Sequence, residues 1–163
     1  MKEFDINYFI EKENEGVIFG KISKSSREVT GKGGFLSYEK GKVFKGTDGS
    51  GLTIEPLDVA FHFFHYGDQL TIVSFTELAK NVSVDVFLAV ENSGNKGCIQ
   101  VPAVYVKEVL SLNDKSTIDL FRNSMSEEDF MATANLAKDH RENHGCNEGA
   151  VYVGELYKEM KNK

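Results

Sequence analysis

The chain contains no tryptophan, only two prolines and two cysteines, and no long apolar run. A helix that spans a bilayer needs about 20 mostly apolar residues, so the sequence predicts no membrane span. Residues 1–15 are rich in charge and lack the pattern of a secretory signal, and we therefore expect a cytoplasmic protein. Cys98 and Cys146 lie far apart in the sequence. In a reducing compartment they indicate two free thiols rather than a disulfide framework.

Common nucleotide and calcium motifs are also absent. Lys32 lies among closely spaced glycines, but their spacing is neither that of a P-loop nor that of a dinucleotide-binding fingerprint. Residues 48–55 begin like a calcium loop, yet the glutamate falls at the eighth position instead of the twelfth. No group of residues reaches the specificity of a catalytic site, so we expect no catalytic residues.

The chain does contain enough apolar material for a core. Of its 163 residues, 40% are hydrophobic, with 12 Phe and 6 Tyr. This length fits one domain, which we expect to cover residues 1–163. We predict an α+β fold, with a β-rich part over 1–106 and a helical part over 107–163. The β-rich part would be a twisted antiparallel sheet or a small, partly closed barrel, packed by two or three C-terminal helices.

Alternating apolar residues predict the strands. Residues 3–11 and 17–23 fit two strands that would form a hairpin, and further strands are predicted over 69–75, 82–90 and 98–106. Residues 58–66 are predicted as a strand because Phe and Val are dense there. The competing interpretation is a helix that starts at Pro56 and stops at Gly67. Residues 109–112 fit either the end of a strand or the start of a helix.

The C-terminal part carries clearer helix signals. Ser126 is a suitable N-cap, and the three acidic residues at 127–129 complement the positive end of a helix dipole. Apolar residues then recur at helical spacing as far as Ala137. A last helix is predicted over 150–160.

Positive charge is concentrated in residues 21–45, which we call the basic strip. The basic strip has seven lysine or arginine residues and two glutamates, a local charge of +5, whereas the whole chain carries −6. Backbone N–H groups in glycine turns cradle anions, nearby lysines add charge, and aromatic rings offer stacking faces for a base. The candidate ligand-binding residues are Lys21, Lys24, Arg27, Lys32, Phe35, Tyr38, Lys42 and Lys45.

These observations predict a non-catalytic binding protein. Its partner would be an anionic ligand, such as a nucleotide, a phosphorylated metabolite or a nucleic acid, or an acidic protein. The competing interpretation of the basic strip is a solvated edge hairpin whose lysines prevent aggregation.

A second hypothesis is a metal-dependent hydrolase that uses zinc. His140 and His144 are four residues apart and would share one face of a helix that extends this far, Cys146 follows closely, and His62 would be a further ligand. The competing interpretation is that His140 and His144 complement the negative end of a helix. Cys98 and Cys146 are also candidate nucleophiles, although a buried structural thiol fits Cys98 better.

A third hypothesis is a homo-oligomeric or inhibitory protein–protein interaction module. An apolar surface patch would mediate its contacts, and Phe63, Phe64 and Tyr66 are the candidates.

Overall fold

The computed structural model describes residues 2–24, 28–29, 35–46, 51–82, 87–91, 97–137 and 147–163, with only the backbone at 28, 29, 35, 36, 137 and 147. The elements are β1 (Glu3–Phe4), α1 (Ile6–Asn14), β2 (Phe19–Ser23), β3 (Glu28–Val29), β4 (Phe35–Leu36), β5 (Val43–Lys45), β6 (Leu52–Pro56), α2 (Leu57–Ala60), a 3₁₀ helix (Phe61–Tyr66), β7 (Gln69–Val73), α3 (Phe75–Ala79), β8 (Ala89–Glu91), β9 (Ile99–Val101), β10 (Ala103–Ser111), α4 (Lys115–Asn123), α5 (Glu127–Ala137) and α6 (Asn147–Lys161).

Eight strands form one antiparallel sheet in the order β1-β8-β9-β6-β2-β7-β10-β5, and β3 pairs with β4 separately. The sheet does not close into a barrel. Three C-terminal helices, α4 to α6, pack together on one side of it. The predicted α+β fold, with an antiparallel sheet in the first two thirds and helices after it, is therefore confirmed.

Two segments of the sheet change their pairing partner along their length. The first three residues of β6 pair with β9, and Glu55 and Pro56 pair with β2. β9 and β10 are separated by Pro102 alone. The first part of β10 pairs with β5 and the second part with β7.

One core lies between the sheet and the C-terminal helices. Ile22, Leu70 and Ile72 contribute the sheet side. On the helix side the ring of Phe61 stacks on Phe121 and Phe130, with ring centroids 5.0 and 5.1 Å apart. All three phenylalanines are fully buried. We call all of the apolar residues between the sheet and the helices α4 to α6 the helix-side core.

A second core lies on the opposite face of the sheet, under α1 and α3. Phe9 of α1 stacks on Phe75 of α3 with ring centroids 4.4 Å apart. Phe19 meets both rings edge to face. Since a strand points successive side chains to opposite faces, β2 sends Phe19 into this core and Ile22 into the helix-side core.

The strand predicted over residues 3–11 is wrong beyond Phe4. Asp5 has an extended backbone and accepts a hydrogen bond from the Tyr8 N–H at 3.2 Å, so it caps α1. Ile6 and Phe9 are then buried at helical spacing. The predicted hairpin with 17–23 does not form, because β1 pairs with β8.

The strand predicted over residues 58–66 is also wrong, and the competing helix is correct. β6 ends at Pro56, which stands before the first residue of α2, and Gly67 follows the 3₁₀ helix. Leu57, Ala60, Phe61 and Phe64 are buried. This three-and-four spacing is a helical stripe, and it prevails over the strand preference of the aromatic residues.

The remaining predicted elements are found with shifted bounds. Residues 109–111 continue β10, and in the region 82–90 the described strand is β8, which starts at Ala89. Ser126 does cap α5, since its hydroxyl accepts a hydrogen bond from the Asp129 N–H at 3.1 Å. The last helix, α6, is longer than predicted at both ends.

Candidate functional site

A group of buried polar side chains lies on the face of the sheet that α1 and α3 cover. Lys21 and Ser23 of β2 stand opposite Thr71 and Gln69 of β7. Paired residues of an antiparallel ladder point to the same side, and this side is shared with Phe19. Their exposed fractions are 6%, 7%, 0% and 8% in that order. We call these four residues the polar row.

Tyr38 covers the polar row at Lys21. The Lys21 ammonium nitrogen lies 5.5 Å from the centroid of the Tyr38 ring, within the range of a cation–π contact. The Tyr38 ring also meets Phe44 on β5, with ring centroids 5.2 Å apart and an interplanar angle of 71°. Tyr38 itself is buried. An ammonium group and an aromatic ring, both from the basic strip, therefore meet inside the protein.

The segment that carries Tyr38 is fixed to the sheet through its backbone. The Gly41 N–H donates to the Val106 carbonyl at 2.8 Å, and the Val106 N–H donates to the Lys42 carbonyl at 2.9 Å. Gly41 has φ of +83°, a conformation that glycine adopts without strain. The turn before β5 therefore determines where the Tyr38 side chain lies.

Sequence reasoning missed Ser23, Gln69 and Thr71, and Thr71 is the most deeply buried of the three. Its hydroxyl is fully buried and has no hydrogen-bond partner among the described residues. A buried polar group left in this state costs about 1–3 kcal/mol. Gln69 does have a hydrogen-bond partner, because its amide donates to the Ser23 hydroxyl at 3.5 Å. Side chains alternate between the two faces of a strand, so residues 69–73 already place Gln69 and Thr71 on one face. This pattern could have identified both residues from the sequence.

The other members of the basic strip have different surroundings. Lys42 forms an ion pair with Glu39, and the neighbouring Lys40 pairs with Glu108 at 2.8 Å. Lys24 and Lys45 are exposed. Arg27 and Lys32 lie outside the described residues, and Phe35 is described only as backbone in β4. Of the eight candidate residues, the structure brings Lys21 and Tyr38 together.

Cys98 lies beside Glu55 and is buried. Burial raises the pKa of the Cys98 thiol from 9.0 to about 11, and the charge and hydrogen bond of Glu55 act in the same direction. A thiol with this pKa stays protonated at neutral pH and is not an activated nucleophile. Cys98 thus has the properties of a structural cysteine.

The zinc hypothesis stays a prediction. Within the described ranges, no three His, Cys, Asp or Glu side chains are grouped as metal ligands. His62 is exposed on the 3₁₀ helix. The other candidate ligands, His140, His144 and Cys146, lie outside the described residues.

The candidate apolar patch is divided between surface and core. Phe64 is buried in the helix-side core, Phe63 is half-buried, and Tyr66 is 59% exposed. The rings of Phe63 and Tyr66 meet edge to face at 5.9 Å. Two of the three aromatic residues therefore reach the surface.

Comparison of the chain with protein-family models, with curated proteins and with solved structures gives no significant match. Among the described residues, no helix has the length and apolar character needed to cross a membrane.

Proposed function

We propose that this chain is a non-catalytic binding protein that holds a small anionic ligand at the polar row. The observation that supports the proposal is the pair formed by Lys21 and Thr71. A positive side chain that is 6% exposed stands opposite a buried hydroxyl that lacks a hydrogen-bond partner in the described part of the chain. Hydroxyl and ammonium groups are the donors with which proteins bind phosphate and carboxylate oxygens.

Burial strengthens the proposed interaction. The attraction between an ammonium group and an anion grows as the effective dielectric constant falls, and Lys21 lies in the interior of the protein. The exposed lysines of the basic strip, Lys24 and Lys45, would attract an anion from solution but would contribute less to its affinity. A phosphorylated metabolite or a nucleotide has the required charge.

The direct test is calorimetric titration with pyrophosphate, glucose 6-phosphate and adenosine triphosphate. Lys21→Met removes the charge and keeps a long side chain, and we expect it to weaken binding at least tenfold, the usual value of a hydrogen bond from a charged donor. Lys45→Met removes an exposed charge of the same strip and serves as the matched control. Equal losses in the two variants would show that the surface of the strip, and not the polar row, attracts the anion.

Thr71→Val separates binding from folding. The substitution keeps the shape of the side chain and removes a hydroxyl that lacks a protein partner among the described residues. The free protein should therefore keep its stability or gain up to about 1 kcal/mol, while the affinity for the anion falls. If the variant unfolds more easily and binds as before, the hydroxyl serves the fold alone and the proposal is wrong.

A further inference from the structure

A cleft of about 680 Å³ is bordered by residues of both cores, and none of the four residues of the polar row lines it. The last turn of α1, residues 15–18, the start of α2 and the last turn of α4 surround it. Tyr8 and Val17 on one wall border the core under α1 and α3, whereas Ile18 and Leu120 border the helix-side core. Its volume is typical of sites for small molecules.

The walls of the cleft are partly apolar. The side chains that form these parts include Tyr8, Val17, Ile18, Pro56, Leu57 and Leu120. Such walls favour a ligand that has a hydrocarbon or aromatic body, because burying each methylene group contributes about 0.8 kcal/mol.

The charge in the cleft is predominantly negative. α1 and α4 both end there, since their C-cap residues Glu15 and Ser124 line it. The C-terminal end of a helix carries a partial negative charge. Asp58 adds a full negative charge at the start of α2, is exposed, and makes no hydrogen bond or ion pair with the described residues.

Among the described residues, Lys12 is the one cation on the walls, and it does not cancel this charge. Lys12 forms an ion pair with Glu15 at 3.4 Å, and the two side chains are 41% and 62% exposed. Its ammonium group also lies 5.8 Å from the centroid of the Tyr8 ring. Exposed ion pairs contribute little free energy, so a second cation competes easily for Glu15. Asp58 and the C-terminal ends of α1 and α4 also attract that cation.

We infer that this cleft binds a small organic cation, namely a primary ammonium group attached to an apolar body. The ammonium group contacts the Asp58 carboxylate near the ends of α1 and α4, and the body lies on the apolar walls. The same chemistry is offered by a free alkylamine and by a lysine side chain of another protein, and the test distinguishes these sources. This inference is independent of anion binding at the polar row.

The test is an NMR titration of amide shifts with probes that separate charge from apolar body. Hexylammonium has both, hexanol has only the body, hexanoate has the opposite charge, and methylammonium has only the charge. We expect hexylammonium to bind most tightly and to shift the amides of Gly16, Val17 and Asp58. Equal binding of hexanol or hexanoate, or no shift at these amides, would overturn the inference.

Variants identify the carboxylate that is recognised. Asp58→Asn should weaken the binding of hexylammonium about fivefold and leave hexanol unchanged, since an exposed ion pair contributes up to about this factor. Glu155→Gln on α6 removes one exposed negative charge outside the cleft and is the matched control. If both variants lose affinity equally, only the net charge of the protein acts, and the site is refuted.

One further probe distinguishes the two sources of the cation. An amide-capped lysine presents a peptide-like side chain, while hexylammonium presents a free alkylamine. Tighter binding of the capped lysine, with shifts at the same amides, assigns the cleft to a lysine of a protein partner. Tighter binding of hexylammonium assigns it to a free amine, and failure of both contradicts the inference.

Discussion

The Glu13 carboxylate of α1 accepts two hydrogen bonds from Thr76, one from the backbone N–H at 3.0 Å and one from the hydroxyl at 2.7 Å. Its other oxygen accepts the Phe75 N–H at 2.7 Å. The first N–H groups of a helix have no partner within the helix, and its N-terminal end attracts negative charge. Glu13 therefore caps α3 from another helix and connects the two helices above their shared core.

Replacing Glu13 should destabilise the protein without changing its fold. Glu13→Ala leaves two backbone N–H groups of α3 without this acceptor, and we expect a loss of about 2 kcal/mol in the free energy of unfolding by urea. Glu13→Gln should lose less, because the amide oxygen still accepts. Glu11→Ala, on the exposed side of the same helix, is the control. A loss as large in the control would assign the effect to α1 itself.

Phe61 should be among the most sensitive positions of the helix-side core, since its ring is stacked on two others. Phe61→Ala should cost about 3–5 kcal/mol in the free energy of unfolding, the usual range for a buried phenylalanine. Tyr66→Ala, five residues later and 59% exposed, should cost far less. Similar values for the two variants would contradict the stacking as the source of stability.

Local signals predicted the C-terminal helices better than the first elements. The Ser126 cap acts within three residues of its own helix, so the sequence nearby contains all of the information. In residues 3–11, apolar residues alternate with polar ones, as in a strand, and also recur three apart, as in a helix. The pattern therefore fits both structures. Asp5 decides between them as an N-cap, because its carboxylate fixes where the helix begins.

The candidate site was harder to predict than the fold. Residues far away in the sequence determine which charged side chains are paired and which are buried. Lys40 finds its carboxylate on Glu108, far along the chain, and Lys21 is buried because β2 lies between β6 and β7. The number of charged residues in 21–45 predicts neither the ion pair of Lys40 nor the burial of Lys21. The meeting of Lys21 with Tyr38 likewise depends on the pairing of β5 with β10.

The Cys98 thiol should ionise late and affect stability at alkaline pH. Because its pKa is raised from 9.0 to about 11 in the folded protein, the unfolded chain loses this proton first. The contribution to stability is thus complete below pH 9 and is lost as the pH rises through 11. The absorbance at 240 nm of the Cys146→Ser variant, minus that of the Cys98→Ser/Cys146→Ser variant, should have its midpoint near pH 11, since the subtraction removes the tyrosinate absorbance. A midpoint at or below pH 9 would contradict the burial of this thiol.

Two glycines of α6 should respond in opposite ways to the same substitution. A Cβ atom on Gly149 would lie 1.9 Å from the Leu112 carbonyl oxygen, and the Gly149 N–H donates to the Asn113 side chain at 3.1 Å. Gly149→Ala should therefore separate α6 from the end of β10 and destabilise the protein by more than about 2 kcal/mol.

An added Cβ on Gly154 of the same helix would meet, among the described residues, no atom within 4 Å apart from its chain neighbours and the backbone of its own helix. Gly154→Ala should stabilise the protein by about 0.5–1 kcal/mol, since alanine loses less conformational entropy in a helix. Urea unfolding of the two variants side by side measures both effects. Because both substitutions add the same methyl group to one helix, a stabilising Gly149→Ala would mean that α6 does not pack on Leu112 as described.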